Sequence, residues 1–167
     1  MRNAENACRT GYAKLGVKQM ADHENDRSFC VVPTQEAATE VSDFLDCCVE
    51  DYAIPMRIGY SMKVVADEIF SNIVYYSGAK NAELLFKDDT DTVTLVFVDD
   101  GVPYNPMKSG EPDITATAEE RDIGGLGLFM VKKMAEKVQY EYADRQNRLT
   151  VVLSKKVKPK KLSLEDF

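Results

Sequence analysis

The chain of 167 residues is long enough for one domain with a true core, and its 44% hydrophobic content argues for a globular fold rather than disorder. No apolar run approaches the roughly 20 residues that span a bilayer, and the polar opening from Met1 to Met20 lacks the apolar segment of a signal peptide. Net charge is −7, and setting aside the +3 of the stretch 155–167 leaves −10 for the rest, which argues against nonspecific nucleic-acid binding.

A cytoplasmic location is therefore expected. Cys8, Cys30, Cys47 and Cys48 show no CxxC spacing and are accompanied by a single histidine. That argues for reduced thiols rather than a zinc site. Residues 1–27 are polar and weakly periodic and read as an N-terminal extension, in which His23 is surrounded by acids and solvated. Residues 28–33 read as a short strand stopped by Pro33.

Thr34 can cap the helix that follows. Ala37, Ala38, Val41, Phe44, Leu45, Cys48, Val49 and Tyr52 recur at helical spacing, predicting an amphipathic helix that ends near Ala53. Pro55 separates it from a second helix over 56–77, with Ile58, Met62, Val65, Ile69 and Ile73 as its core stripe and Gly78 as its stop. Residues 81–88 and 92–99 alternate as two antiparallel strands around an Asp-Asp-Thr-Asp turn. Residues 102–122 show little periodicity, and a loop that long is usually functional or mobile, so a lid is expected there. A third helix opens at Gly124–Gly127 and runs to about Lys137. Strands near 138–144 and 148–153 close the domain, and the tail 155–167 reads as solvated.

This order predicts an α+β fold, a two-layer α/β sandwich with helices on one face of a mixed sheet. The crossover through the third helix should be right-handed if the strands it joins are parallel.

Three short stretches carry the chemistry. Glu68 and Asn72 lie at i and i+4 and so point from one helix face. An asparagine oxygen suits Mg²⁺, and a carboxylate one turn earlier is placed to take a proton from a hydroxyl attacking a γ-phosphate. Alone, this pair is also compatible with a surface acid. Asp99 ends a strand on the face of Val93, Leu95 and Phe97, where its oxygens must be bonded. An adenine amine and the backbone N–H groups of the turn at Gly101 are both suitable donors. Asp100 points the other way and is expected to be exposed. Gly124, Gly125 and Gly127 precede a helix whose free N–H groups favour phosphate, although a glycine cluster also serves a tight turn. There is no GxxxxGK[ST] for a P-loop and no strand–GxGxxG–helix unit for a dinucleotide.

In order and spacing, three segments resemble the N box and the two glycine boxes of the GHKL ATPase superfamily. They are Asp67-Glu68-Ile69-Phe70-Ser71-Asn72, Val98-Asp99-Asp100-Gly101-Val102-Pro103-Tyr104-Asn105-Pro106 and Gly124-Gly125-Leu126-Gly127-Leu128-Phe129-Met130-Val131. Within the superfamily they look most like the anti-sigma-factor serine/threonine kinases, with the likeness covering 28–154. The resemblance implies a histidine-kinase-like ATPase domain of the Bergerat type that binds ATP and Mg²⁺. It also implies roles for the site residues. Glu68 would be the catalytic base, Asn72 the metal ligand, and Asp99, Gly101, Asn105, Gly124, Gly125 and Gly127 nucleotide contacts. The implied partners are a sigma factor and an antagonist (anti-anti-sigma) protein, and the implied assembly is a homodimer. Two positions depart from the pattern. Asp122-Ile123 stand where a basic residue often precedes the glycine pair, and Tyr75-Tyr76 replace a histidine near the end of the N-box helix. A switch that binds ATP without transfer and a histidine-kinase catalytic domain are the alternative readings.

Overall fold

The computed structural model describes residues 26–105 and 125–156. Nine elements follow in order: β1 (Asp26–Val31), α1 (Ala37–Asp51), α2 (Met56–Asn72), a π-helical turn (Ile73–Ser77), β2 (Ala82–Asp88), β3 (Thr92–Asp99), α3 (Gly125–Met134), β4 (Lys137–Ala143) and β5 (Gln146–Ser154). The expected lid over 102–122 lies outside the described residues beyond Asn105, as do Gly124 and the N-terminal extension up to residue 25.

The strands form one sheet in the order β1-β2-β3-β5-β4. Alternation decides which face is buried. Leu84 and Phe86 on β2, Val93, Leu95 and Phe97 on β3, and Leu149, Val151 and Leu153 on β5 are all inside the core. They meet Val41, Phe44, Leu45 and Cys48 of α1, Ile58, Met62, Val65 and Ile69 of α2, and Val131 of α3. Phe29 of β1 stacks on Phe44 with ring centroids 5.4 Å apart, fastening the edge strand to the helical layer. The result is the α+β two-layer sandwich expected, with helices against one face.

One feature of the sheet differs from expectation. Among the described residues all four strand pairings are antiparallel, so the sheet is not mixed. The reason lies in the last hairpin. β3 and β4 are both antiparallel to β5 and so run parallel to each other, as a crossover through α3 requires, but β5 inserts between them. The hairpin turn holds Asp144 and Arg145 at φ 53° and 63°, the positive-φ pair of a two-residue turn whose twist matches its strands.

Local signals behave as their chemistry dictates. Thr34 accepts a hydrogen bond from the Ala37 N–H, the first of α1, at 3.3 Å, although the N-cap position itself falls on Glu36. Gly78 ends the second helix at φ 64°, left-handed backbone that glycine adopts without strain. The last turn before it is π-helical rather than α-helical, a widening the hydrophobic pattern did not announce. The start of the tail is not simply solvated. Lys155 pairs with Asp88 at 2.5 Å and also donates to the Asp89 carbonyl oxygen, and Lys156 reaches Asp91 at 2.8 Å. The acidic β2–β3 turn and the end of β5 lie side by side, so the first two lysines of the tail neutralise that turn.

Candidate functional site

The site forms where α2, the end of β3 and the start of α3 converge. On α2, Asn72 donates through Nδ2 to Glu68 Oε1 at 3.1 Å. Only the NH₂ end of an amide can face a carboxylate in this way. The bond therefore fixes the amide and turns Asn72 Oδ1 away from Glu68, available as a neutral oxygen ligand. Asn72 and Asp99 line one cavity, together with Leu128 of α3.

Asp99 is only 6% exposed. Its Oδ1 accepts from the Gly101 N–H at 2.9 Å and from Asn147 Nδ2 at 3.0 Å. Among the described residues no bond reaches Oδ2. Both donors weighed from the sequence therefore have a place. The backbone turn satisfies one oxygen, and the other remains for a donor in the cavity. Oδ2 opens on the cavity, where a donor can reach it, and an adenine amine is a donor of the right kind.

Two glycines of the motifs, Gly101 and Gly127, are explained by close approach rather than by unusual backbone. A Cβ built at Gly101 would overlap the Ser77 carbonyl oxygen and crowd Asp99 Oδ1 at 2.8 Å. The same carbonyl accepts from the Val102 N–H at 2.8 Å, so the π-helical turn and the strand end are joined backbone to backbone. A Cβ at Gly127 would overlap the Glu68 carboxylate. The first turn of α3 thus rests directly against the proposed base. Gly125 begins α3, and Asn105 stands at the end of the described stretch that follows Asp99.

Asp100 is exposed, as expected, yet it has a structural task. Its carboxylate accepts from the backbone N–H groups of Lys80 and Asn81 at 2.7 and 2.9 Å, and from Asn81 Nδ2 at 2.7 Å. These bonds, led by those from Asn81, hold its carboxyl below the ordinary 3.8.

Sequence reasoning missed Asn147 and Tyr140. Asn147 is 5% exposed and faces Asp99 across the β3–β5 ladder. Tyr140, on β4, donates its hydroxyl hydrogen to Asn147 Oδ1 at 2.7 Å and lines the same cavity. Burial is the main cause pushing its phenol above the usual 10.

With this geometry established, kinship is decided by a comparison of the sequence with known families. Residues 31–154 match the histidine kinase-like ATPase domain, well over half of the chain. The chain belongs to that family. Membership implies ATP as its nucleotide. The serine/threonine-protein kinase BtrW of Bordetella bronchiseptica (strain ATCC BAA-588 / NCTC 13252 / RB50) is 24% identical over 99 residues, covering 57% of this chain and 70% of that protein. Among the described residues no cluster of three or more metal-ligating side chains occurs. No helix among them is long and apolar enough to cross a membrane.

Proposed function

We propose that this histidine-kinase-like ATPase domain, spanning about 28–154, is a cytoplasmic anti-sigma-type regulator that transfers the γ-phosphoryl group of ATP to a serine of an antagonist protein. Asp99 Oδ2 accepts the adenine amine, and Gly101 lets the chain approach closely there. Asn72 Oδ1 holds Mg²⁺. Asn105 contacts the nucleotide, and the backbone of Gly124, Gly125 and Gly127 holds its phosphates. Glu68 takes the proton of the attacking serine hydroxyl. Bound Mg²⁺ supplies neutralisation of the phosphate charge. Nucleotide state would bias which of two proteins, a sigma factor or its antagonist, is held by a homodimer of this chain. The kinase name of the Bordetella relative supports this reading. The observation that carries it is the Asn72–Glu68 bond, which joins the proposed metal ligand, in the cavity of Asp99, to the proposed base on the same helix face.

A second reading, an ATP-dependent binding switch without transfer, has its own support. The first turn of α3 occupies the space beside Glu68, where a serine hydroxyl would have to enter. Transfer assays with radiolabelled ATP and a co-purified antagonist separate the two. Glu68→Gln should keep ATP affinity and lose about 10²–10⁴-fold in transfer rate. Transfer as fast as wild type would remove Glu68 as the base. No transfer by wild type to any retained partner would leave the switch.

A further inference from the structure

Asn147 spends its whole amide. Its Oδ1 accepts from the Tyr140 hydroxyl at 2.7 Å and from the Tyr104 N–H at 3.2 Å. Its Nδ2 donates to Asp99 Oδ1 and to the Val102 carbonyl oxygen, both at 3.0 Å, with a longer approach of 3.4 Å to the Gly101 carbonyl oxygen. An amide oxygen has two lone pairs and the NH₂ two hydrogens, so this set saturates it. It also forbids the reversed amide, which would set an oxygen against Asp99 and Val102 and an NH₂ against the Tyr104 N–H.

We propose that Asn147 is the positioning residue of the base site. It holds the Asp99 carboxylate with Oδ2 left for the purine, and it ties the chain at 101–104 to the same point. The inference rests on Asp99 as the adenine acceptor. Purine selectivity is then set one residue away from the acid that reads the base. A carboxylate held by the Gly101 N–H and the Asn147 amide presents only acceptor character to the cavity. It fits the exocyclic amine of adenine and repels the carbonyl oxygen that replaces the amine in hypoxanthine. Without Asn147 the carboxylate keeps its charge and one bond, but it gains freedom to turn away. The ATP complex loses more from that freedom than the inosine triphosphate complex, which has no such bond to lose.

The test is calorimetric titration of ATP and inosine triphosphate against wild type, Asp99→Asn, Asn147→Ala and Tyr140→Phe, with amide hydrogen exchange read at Tyr104 and Val102. Wild type should prefer ATP. Asn147→Ala should narrow that preference by about tenfold, the scale of one hydrogen bond to a charged group, and should speed exchange at Tyr104. The Val102 amide, bonded to Ser77, should be unaffected. Tyr140→Phe removes one hydroxyl and spares the packing, so it carries the test if Asn147→Ala does not fold. It should narrow the preference by a smaller factor. If Asp99→Asn abolishes the preference while Asn147→Ala and Tyr140→Phe leave it intact, the role of Asn147 is overturned and the Asp99 assignment stands. Equal weakening of both nucleotides by Asn147→Ala would also overturn it, as a sign of structural damage alone. If wild type binds neither nucleotide, both readings fail.

Discussion

The Asp99→Asn substitution tests the adenine assignment with the least disturbance to the fold. The two side chains are isosteric, and the native Oδ1 already receives two donors, the Gly101 N–H at 2.9 Å and Asn147 Nδ2 at 3.0 Å. An asparagine at 99 must point its own oxygen at those donors, which puts its NH₂ on the cavity side. There it faces another NH₂, the adenine amine, so a charge-assisted bond becomes a donor–donor contact. A hydrogen bond to a charged group contributes roughly 1.5–3 kcal/mol, so ATP affinity should fall by about 10–150-fold. Stability should change far less, because both internal bonds survive in neutral form. Inosine triphosphate, with a carbonyl at the same place, should lose little affinity or gain some. Calorimetry with both nucleotides reads the binding and scanning calorimetry reads the fold. Unchanged ATP affinity in a folded Asp99→Asn protein would refute the assignment.

The close approaches and surface bonds around the site give further expectations. Gly101→Ala forces a methyl group into the Ser77 carbonyl oxygen and toward Asp99 Oδ1. It should lower stability by about 1–3 kcal/mol in chemical denaturation, as overpacking does, and weaken ATP with it. No loss in stability would mean that the π-helical turn yields. Asp100 has a folded pKa below its ordinary 3.8, so its stabilisation is complete above that value and disappears as pH falls through the lower folded one. In urea titrations across pH, wild type and Asp100→Asn should therefore differ at neutral pH and converge in strong acid, and a pH-independent difference would contradict the bonding seen at Lys80 and Asn81.

Elements whose cause is local were legible in the sequence. The stripe Ile58, Met62, Val65, Ile69 is a helix because burial every three to four residues leaves no other choice, and all four are buried. The alternation Val93, Leu95, Phe97 placed Asp99 on the core face for the same reason, and that one deduction led to the site. What escaped depends on register between distant segments. Asn147 lies opposite Asp99 only because β5 pairs with β3 residue for residue. Read along the chain, it is merely the last member of a polar turn. The mixed sheet was inferred from a correct premise, a crossover through α3, but connectivity does not say whether a later strand inserts between the two it joins.

The glycines show most clearly where sequence reasoning stops. A glycine at 101 serves either positive φ or a close approach of chain, and the Gly124–Gly127 cluster either a phosphate site or a tight turn. Among the described glycines only Gly78 has positive φ, so backbone freedom is not what Gly101 and Gly127 supply. Neither does the space a Cβ would take belong to open cavity. It is filled by the Ser77 carbonyl oxygen in one case and by the Glu68 carboxylate in the other. Both glycines let one motif touch another. Gly101 brings the strand end carrying Asp99 onto the turn that follows Asn72, and Gly127 brings the head of α3 onto Glu68. A larger residue at 101 would press on the Ser77 backbone and part the two segments, whereas one at 127 would first displace the Glu68 carboxylate. The three motifs are thus parts of a single packed junction, and the spacing between them along the chain records the path needed to bring them there.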